Sequence, residues 1–282
     1  MRHIAQPGPA TGERVEWVES HGRRFDLALQ PGLPLVESIR RGFAAAGFTS
    51  GVVRVDGVAL SPFAYVMPAL SKTPEHAAFY SEIFRPAGIA RIETGAMSFG
   101  LRDGAPFFHC HALWQEASGR RNGGHIMPDE TMVAEPATLP AVGLDGAGFA
   151  AYLDGETNFK LFGPAATAAM GTARDGRFFA LRLRPNIDVA TALETFCSAR
   201  GIRRAVIHGG VGSTIGARFE DGRSVENFAT EVAIRSGVVT PDGAETAIDV
   251  ALVDYTGAMA QGRLQRGDNP VLMTFELVLE AV

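Results

Sequence analysis

No run of 18 or more apolar residues occurs in the 282 positions, so no stretch is a candidate membrane-spanning helix. The opening MRHIAQPGPATGERVEW has no apolar core of a secretory signal, and a cytoplasmic protein without a membrane partner is expected. Positive charge does not dominate: 26 Lys and Arg stand against 31 Asp and Glu, a net charge of −5. That balance withholds the basic footprint of a phosphate-backbone binder, and nucleic acid is not an expected partner. Cysteine is almost missing. Cys110 and Cys197 fall on apolar positions of an expected strand and helix, as buried thiols rather than a disulfide. Two catalytic signatures are absent as well, the Gly-x-Ser-x-Gly elbow and any Gly-Lys-Ser/Thr loop. Gly209-Gly210-Val211-Gly212-Ser213 lacks the spacing of a dinucleotide fingerprint and reads as a tight turn after a strand. Apolar residues, at 46% against 20% charged, suffice for a core in one large domain or two ordinary ones.

Chemistry concentrates in Phe107-Phe108-His109-Cys110-His111-Ala112-Leu113-Trp114, followed by Gly123-Gly124-His125. Side chains alternate along a strand, so His109 and His111 share one face, while Phe108, Cys110, Ala112 and Trp114 form an apolar opposite face. The polar segment QEASGRRN, with Gly119 as pivot, turns the chain, and an antiparallel return brings His125 back to the pair. Three neutral imidazoles converging on one point suit a divalent transition metal, zinc first among them. Around them, Glu130 and His76 are candidate proton carriers, with Asp129 an alternative carboxylate beside His125. Arg120 and Arg121 at the turn, with Tyr80, are candidate substrate contacts.

A second pattern is a repeat. Gly22-Arg23, Phe25, Leu27, Leu29 and Pro31 recur as Gly176-Arg177, Phe179, Leu181, Leu183 and Pro185, at a constant offset of 154. Leu35, Ile39, Phe43 and Ala46 follow at helical spacing, with Pro34 at the first turn and Gly47 as the stop. Gly47-Phe48 matches Gly201-Ile202, and Val52-Val53, within the strand expected over 48–56, matches Val206-Ile207. One strand–turn–helix–Gly–strand unit spoken twice argues for duplication. The first copy alone carries an insert, Leu60 to Arg91, in which Thr73-Pro74-Glu75 reads as a helix start. Where the first copy has its histidines, the second aligns Asp249, Ala251 and Arg263. One metal site per chain is therefore expected, with the insert over or beside it.

Helix–Gly–strand, then His-x-His, a polar hairpin and Gly-Gly-His, resembles the plants-and-prokaryotes conserved (PPC, or PCC) domain. Ile207-His208-Gly209-Gly210-Val211-Gly212-Ser213 is similar to that family's glycine-rich strand end. The resemblance implies an α+β fold of two similar domains, each a mainly antiparallel sheet flanked by helices, and trimeric association. It carries the metal ligands over to His109, His111 and His125. Family members in plants accompany AT-hook DNA-binding motifs and prokaryotic ones bear a DNA-binding label, but this chain has no Arg-Gly-Arg-Pro hook.

The expected organisation is an N-terminal arm over 1–21, a three-histidine domain over 22–140, a linker over 141–173 and a degenerate second domain over 174–282. The expected function is a metal-dependent enzyme acting on a small, anionic metabolite, its reaction unassigned. A DNA-associated regulator and a metabolite-sensing scaffold with a structural metal are the alternatives.

Overall fold

The computed structural model describes residues 1–282. The chain begins with β1 (Val15–Leu29), α1 (Leu35–Ala45) and β2 (Gly51–Arg54). Four two-residue strands follow: β3 (Ala59–Leu60), β4 (Tyr65–Val66), β5 (Pro68–Ala69) and β6 (Phe79–Tyr80). The first half continues with β7 (Ala90–Arg102), β8 (Ala105–Gln115), β9 (Arg121–Ile126) and β10 (Ala137–Asp145). A hairpin, β11 (Ala147–Leu153) and β12 (Lys160–Ala166), precedes β13 (Arg177–Leu183) and α2 (Val189–Ala199). The chain ends with β14 (Ala205–Arg218), β15 (Ser224–Val239), β16 (Ala247–Asp254), β17 (Met259–Arg263) and β18 (Val271–Ala281).

Sixteen of these strands form one sheet, antiparallel except for a short parallel contact of β11 with β7. The sheet is mainly antiparallel, as expected, and with only two helices the fold is mostly β rather than α+β. From the junction of β1 and β13 the strands run β1-β10-β2-β7-β8-β9 one way and β13-β18-β14-β15-β16-β17 the other. Both halves thus repeat one order: first, last, second, then three in meander.

The halves join where the sequence suggests only an arm. Val15–Ser20 of β1 pair with Leu183–Phe178 of β13, while His21–Leu29 of the same strand pair with β10. Residues 141–173, expected as a linker, contain the end of β10 and the whole β11–β12 hairpin. The strand expected over 48–56 contracts to Gly51–Arg54. No helix forms at Thr73-Pro74-Glu75; Pro62, Pro68, Pro74 and Pro86 punctuate the insert, which buries Phe63 and Tyr65 in the core and forms a single hairpin, β5–β6.

Each half has its own core. Leu35, Ile39 and Phe43 of α1 pack on Phe99 and Phe108, and Val189, Leu193 and Phe196 of α2 pack on Phe179 and Leu277. The sheet then curls so that β14, β15 and β16 face β7, β8 and β9. Small residues, Ala96 against Val211 and Ala233, permit that close approach. The histidine face of β8 looks into this seam.

Candidate metal centre

In the β8–β9 ladder His111 lies directly opposite His125, with His109 two residues along the same face of β8. The glycine before His125 is required: a Cβ on Gly124, at φ +154°, would meet the Val66 carbonyl at 2.3 Å. Phe108, Cys110, Ala112 and Trp114 are buried on the opposite face as expected, and both cysteines are free. The three imidazoles are themselves buried, at 9%, 4% and 9% exposure for His109, His111 and His125.

One nitrogen from each ring lies within 4.8 Å of the others, and Nε2 of His109 and His111 are 2.9 Å apart. Tetrahedral zinc with bonds of about 2.0–2.1 Å sets its nitrogens about 3.3 Å apart, so modest adjustment brings these three into one coordination shell. The other half fixes the two strand imidazoles. His109 Nδ1 contacts the Glu276 carboxylate, and His111 Nδ1 donates to the Val232 carbonyl at 3.2 Å. Holding a proton on each Nδ1 leaves each Nε2 lone pair facing the common point. His125 Nδ1 is buried without a partner, an orphan that a cation would satisfy. The residues fit a metal.

Burial foremost, then the charges of neighbouring His109 and His125, holds His111 well below the ordinary histidine range. Burial, His109 and Arg102 do the same for His125. Glu231, from β15, lies 4.0 Å from His111 Nε2, and burial pushes its carboxyl well above the usual range. Neutral imidazoles beside a protonatable buried acid are what metal ligation with proton transfer requires.

A cleft of about 480 Å³ opens onto His109, His111 and Glu231, with Tyr80, Phe159 and Thr274 among its walls. A second, of about 1110 Å³, reaches His109 and His125 from the other side of Tyr80 and Phe159. Tyr80 packs on His125 with ring centroids 5.5 Å apart, so the insert does lie beside the histidines. Other expected contacts are elsewhere. His76 packs on Phe159 at 4.5 Å and Phe79 at 5.0 Å, and these reach His125 only through Tyr80, so His76 is two rings removed from the imidazoles. Glu130 pairs with Arg85 on the surface, and Arg121 at the hairpin tip pairs with Glu93. Arg120 is exposed beside it, so none of these three reaches the clefts, whereas Asp129 stands on the wider cleft's rim.

Glu231 and Glu276 escape a search confined to the histidine neighbourhood. Each is nonetheless the one acid in a short apolar stretch, Thr230-Glu231-Val232-Ala233-Ile234 and Phe275-Glu276-Leu277-Val278. A buried acid costs several kcal/mol unless something answers it, so that pattern is itself a signal. In the second copy, the ladder sets Asp249 against Arg263 and Ala251 against Gln261, two positions from the sequence alignment of Arg263 with His125. Asp249 and Arg263 form an ion pair at 3.4 Å, and Gln261 rather than Arg263 takes the ladder position that His125 has in the first half.

No curated protein matches the chain. Among solved structures, a plant- and prokaryote-conserved (PPC) protein from Pyrococcus horikoshii is similar at 17% identity, covering 54% of this chain and 98% of its own, TM-score 0.39. A metal-containing protein from Archaeoglobus fulgidus is similar at 18% identity, covering 52% and 96%, TM-score 0.40. A candidate DNA-binding protein from Ralstonia eutropha is similar at 13% identity, covering 49% and 89%, TM-score 0.36. The family model that matches is the Plants and Prokaryotes Conserved (PCC) domain, over residues 170–282. It falls on the half without the three clustered histidines, the one whose sequence reads as degenerate. Residues 170–282 of this chain are a PCC domain.

Proposed function

We propose that the chain is a metal-dependent enzyme that holds one divalent transition metal, zinc by preference, on His109, His111 and His125 and acts on a small anionic metabolite. The observation that carries this reading is the meeting of three buried imidazoles with two carboxylates from the other half at the end of a cleft. Such an ion supplies Lewis acidity toward a substrate oxygen. The chain's own residues supply the rest. Glu276 and the Val232 carbonyl orient two imidazoles, Glu231 holds or releases a proton within reach of His111, and Tyr80 and Phe159 shield the centre from water. Glu231 thereby takes the role that the sequence suggests for Glu130 or His76.

We further propose that residues 22–140 are a second copy of the PCC-like fold, with 1–21 an arm, 141–173 a connection and 174–282 the copy without ligands. The matching strand order of the two halves supports this. A homotrimer is the assembly proposed, and the cytoplasm the location; no helix is long and apolar enough to cross a membrane. The DNA-binding description of the Ralstonia structure finds no support in the charge of this chain, at −5.

The test is metal analysis of protein purified without an affinity tag. About one equivalent per chain is expected, falling below about a tenth in His109→Ala and His111→Ala and unchanged in Asp249→Ala. Two equivalents, or metal lost from Asp249→Ala, would overturn the reading. Full loading with no turnover across a substrate screen, and a lower melting temperature once metal is removed, would favour the scaffold with a structural metal.

A further inference from the structure

The wider cleft carries an arginine, Arg102, that no carboxylate holds in an ion pair. Arg102 ends β7, and its backbone is laddered to Ala105 of β8 on one side and Ala151 of β11 on the other, so its origin is rigid. The guanidinium lies over the Phe107 ring, 5.0 Å from the centroid, and Phe107 shares the strand face of His109. Arg85, Arg91 and Arg121 are each engaged by a glutamate, whereas Arg102 has no such partner. Neighbouring Lys160 is held by Asp103 at 2.7 Å, which leaves Arg102 the free cation of this cleft. Apolar rings continue the wall from there: Phe162 is 5.8 Å from Phe107, and Phe159 is 5.8 Å from Tyr80.

We infer that this cleft recognises an organic carboxylate, gripped by Arg102, whose apolar body lies on Phe107, Phe159 and Phe162 and whose far end points to His109 and His125. A guanidinium is a planar fork that matches a carboxylate through two parallel hydrogen bonds. One free fork, with Asp129 acidic on the same rim, suits a single negative charge better than a phosphate dianion. Phe107, under the guanidinium, lies two residues of β8, about 7 Å, from His109 on the same strand face, and this sets the distance the ligand's body spans. The inference names the substrate class of the proposed enzyme and rests on that reading for the cleft's role. It also moves the anion contact from Arg120 and Arg121, which the hairpin carries away, to Arg102.

Calorimetric titration of the full chain with phenylacetate and with phenylacetamide, metal-free and zinc-loaded, tests it. In the parent protein the acid should bind at least about tenfold tighter than the amide, since the two differ in charge and little in shape. Arg102→Gln should lose that factor for the acid, leaving amide binding and zinc content unchanged, and Arg121→Gln should behave as parent. Equal binding of acid and amide, parent-like acid binding by Arg102→Gln, or no binding of either at millimolar concentration would overturn the inference. Zinc content in the same samples reads the other proposal separately. Acid preference through Arg102 without zinc uptake would sink the metal reading alone, and zinc uptake without acid preference would sink this one alone.

Discussion

His109 takes its orientation from Glu276, a residue 167 positions away, and His111 from the Val232 carbonyl, 121 away. Removing the first of these contacts should cost metal affinity without touching a ligand. Glu276→Ala is expected to weaken zinc binding about 10–100-fold, with Glu276→Gln weakening it less, by competition against a chelator of known affinity. Equal affinity in both variants would show that His109 needs no such support. A pH dependence follows from the buried groups. In the metal-free protein, the depressed folded pKa values of His111 and His125 mean that the unfolded chain binds protons first as pH falls below about 6.5. Their contribution to stability is complete above that pH and is lost below it. Glu231 acts with the opposite sign: its raised folded pKa makes the folded state the better proton binder above about pH 4.5, so its contribution declines as pH rises. Glu231→Gln should therefore raise the melting temperature of metal-free protein at neutral pH, with the gain shrinking towards about pH 4.5. A gain that stays constant across that range would contradict the assignment.

The elements were unequally legible. Alternation in 107–114 and the polar turn after it are local signals, and they specify β8, β9 and their pairing. The helices were legible for the same reason: Leu35, Ile39 and Phe43 return to one face every three or four residues. Their ends differ in a way that period does not reveal. Pro34 starts α1 without a side-chain cap, whereas Asp188 caps α2 by accepting from Thr191 N at 2.8 Å and also binds the backbone N–H groups of Gly267 and Asn269. Asp188→Ala leaves those donors unanswered and should cost about 2 kcal/mol of unfolding free energy, read by denaturant titration. Pro34→Ala removes no such bond, and a loss as large there would contradict the capping argument. The insert misled because His76, Phe79, Tyr80 and Ile83 follow the start signal Thr73-Pro74-Glu75 at helical spacing, yet no helix forms there. Tertiary contacts with Phe159 hold His76, Phe79 and Tyr80 in place instead.

At the scale of the molecule, one continuous sheet curls until its two halves face each other, and the centre lies in the seam. A second half that lacks metal ligands therefore still contributes Glu231, Glu276 and the Val232 carbonyl. If the proposed trimer forms, light scattering at micromolar concentration should give about three times the 29.9 kDa of one chain. A mass of one chain would refute it.

The sequence by itself determined the three-histidine cluster, because two ligands lie two apart on one strand and the third returns across one hairpin. It likewise determined the apolar faces of the strands and helices, since these are periodic along the chain. Tertiary structure alone decided which acids and cations accompany the imidazoles. Glu231, Glu276 and Arg102 reach them through the curl of the sheet and the ladder with β11, while Glu130, Arg120 and Arg121, closer in sequence, point to surface partners or to solvent. Sequence proximity orders residues along a line. Burial of both sheet faces decides which of those lines cross.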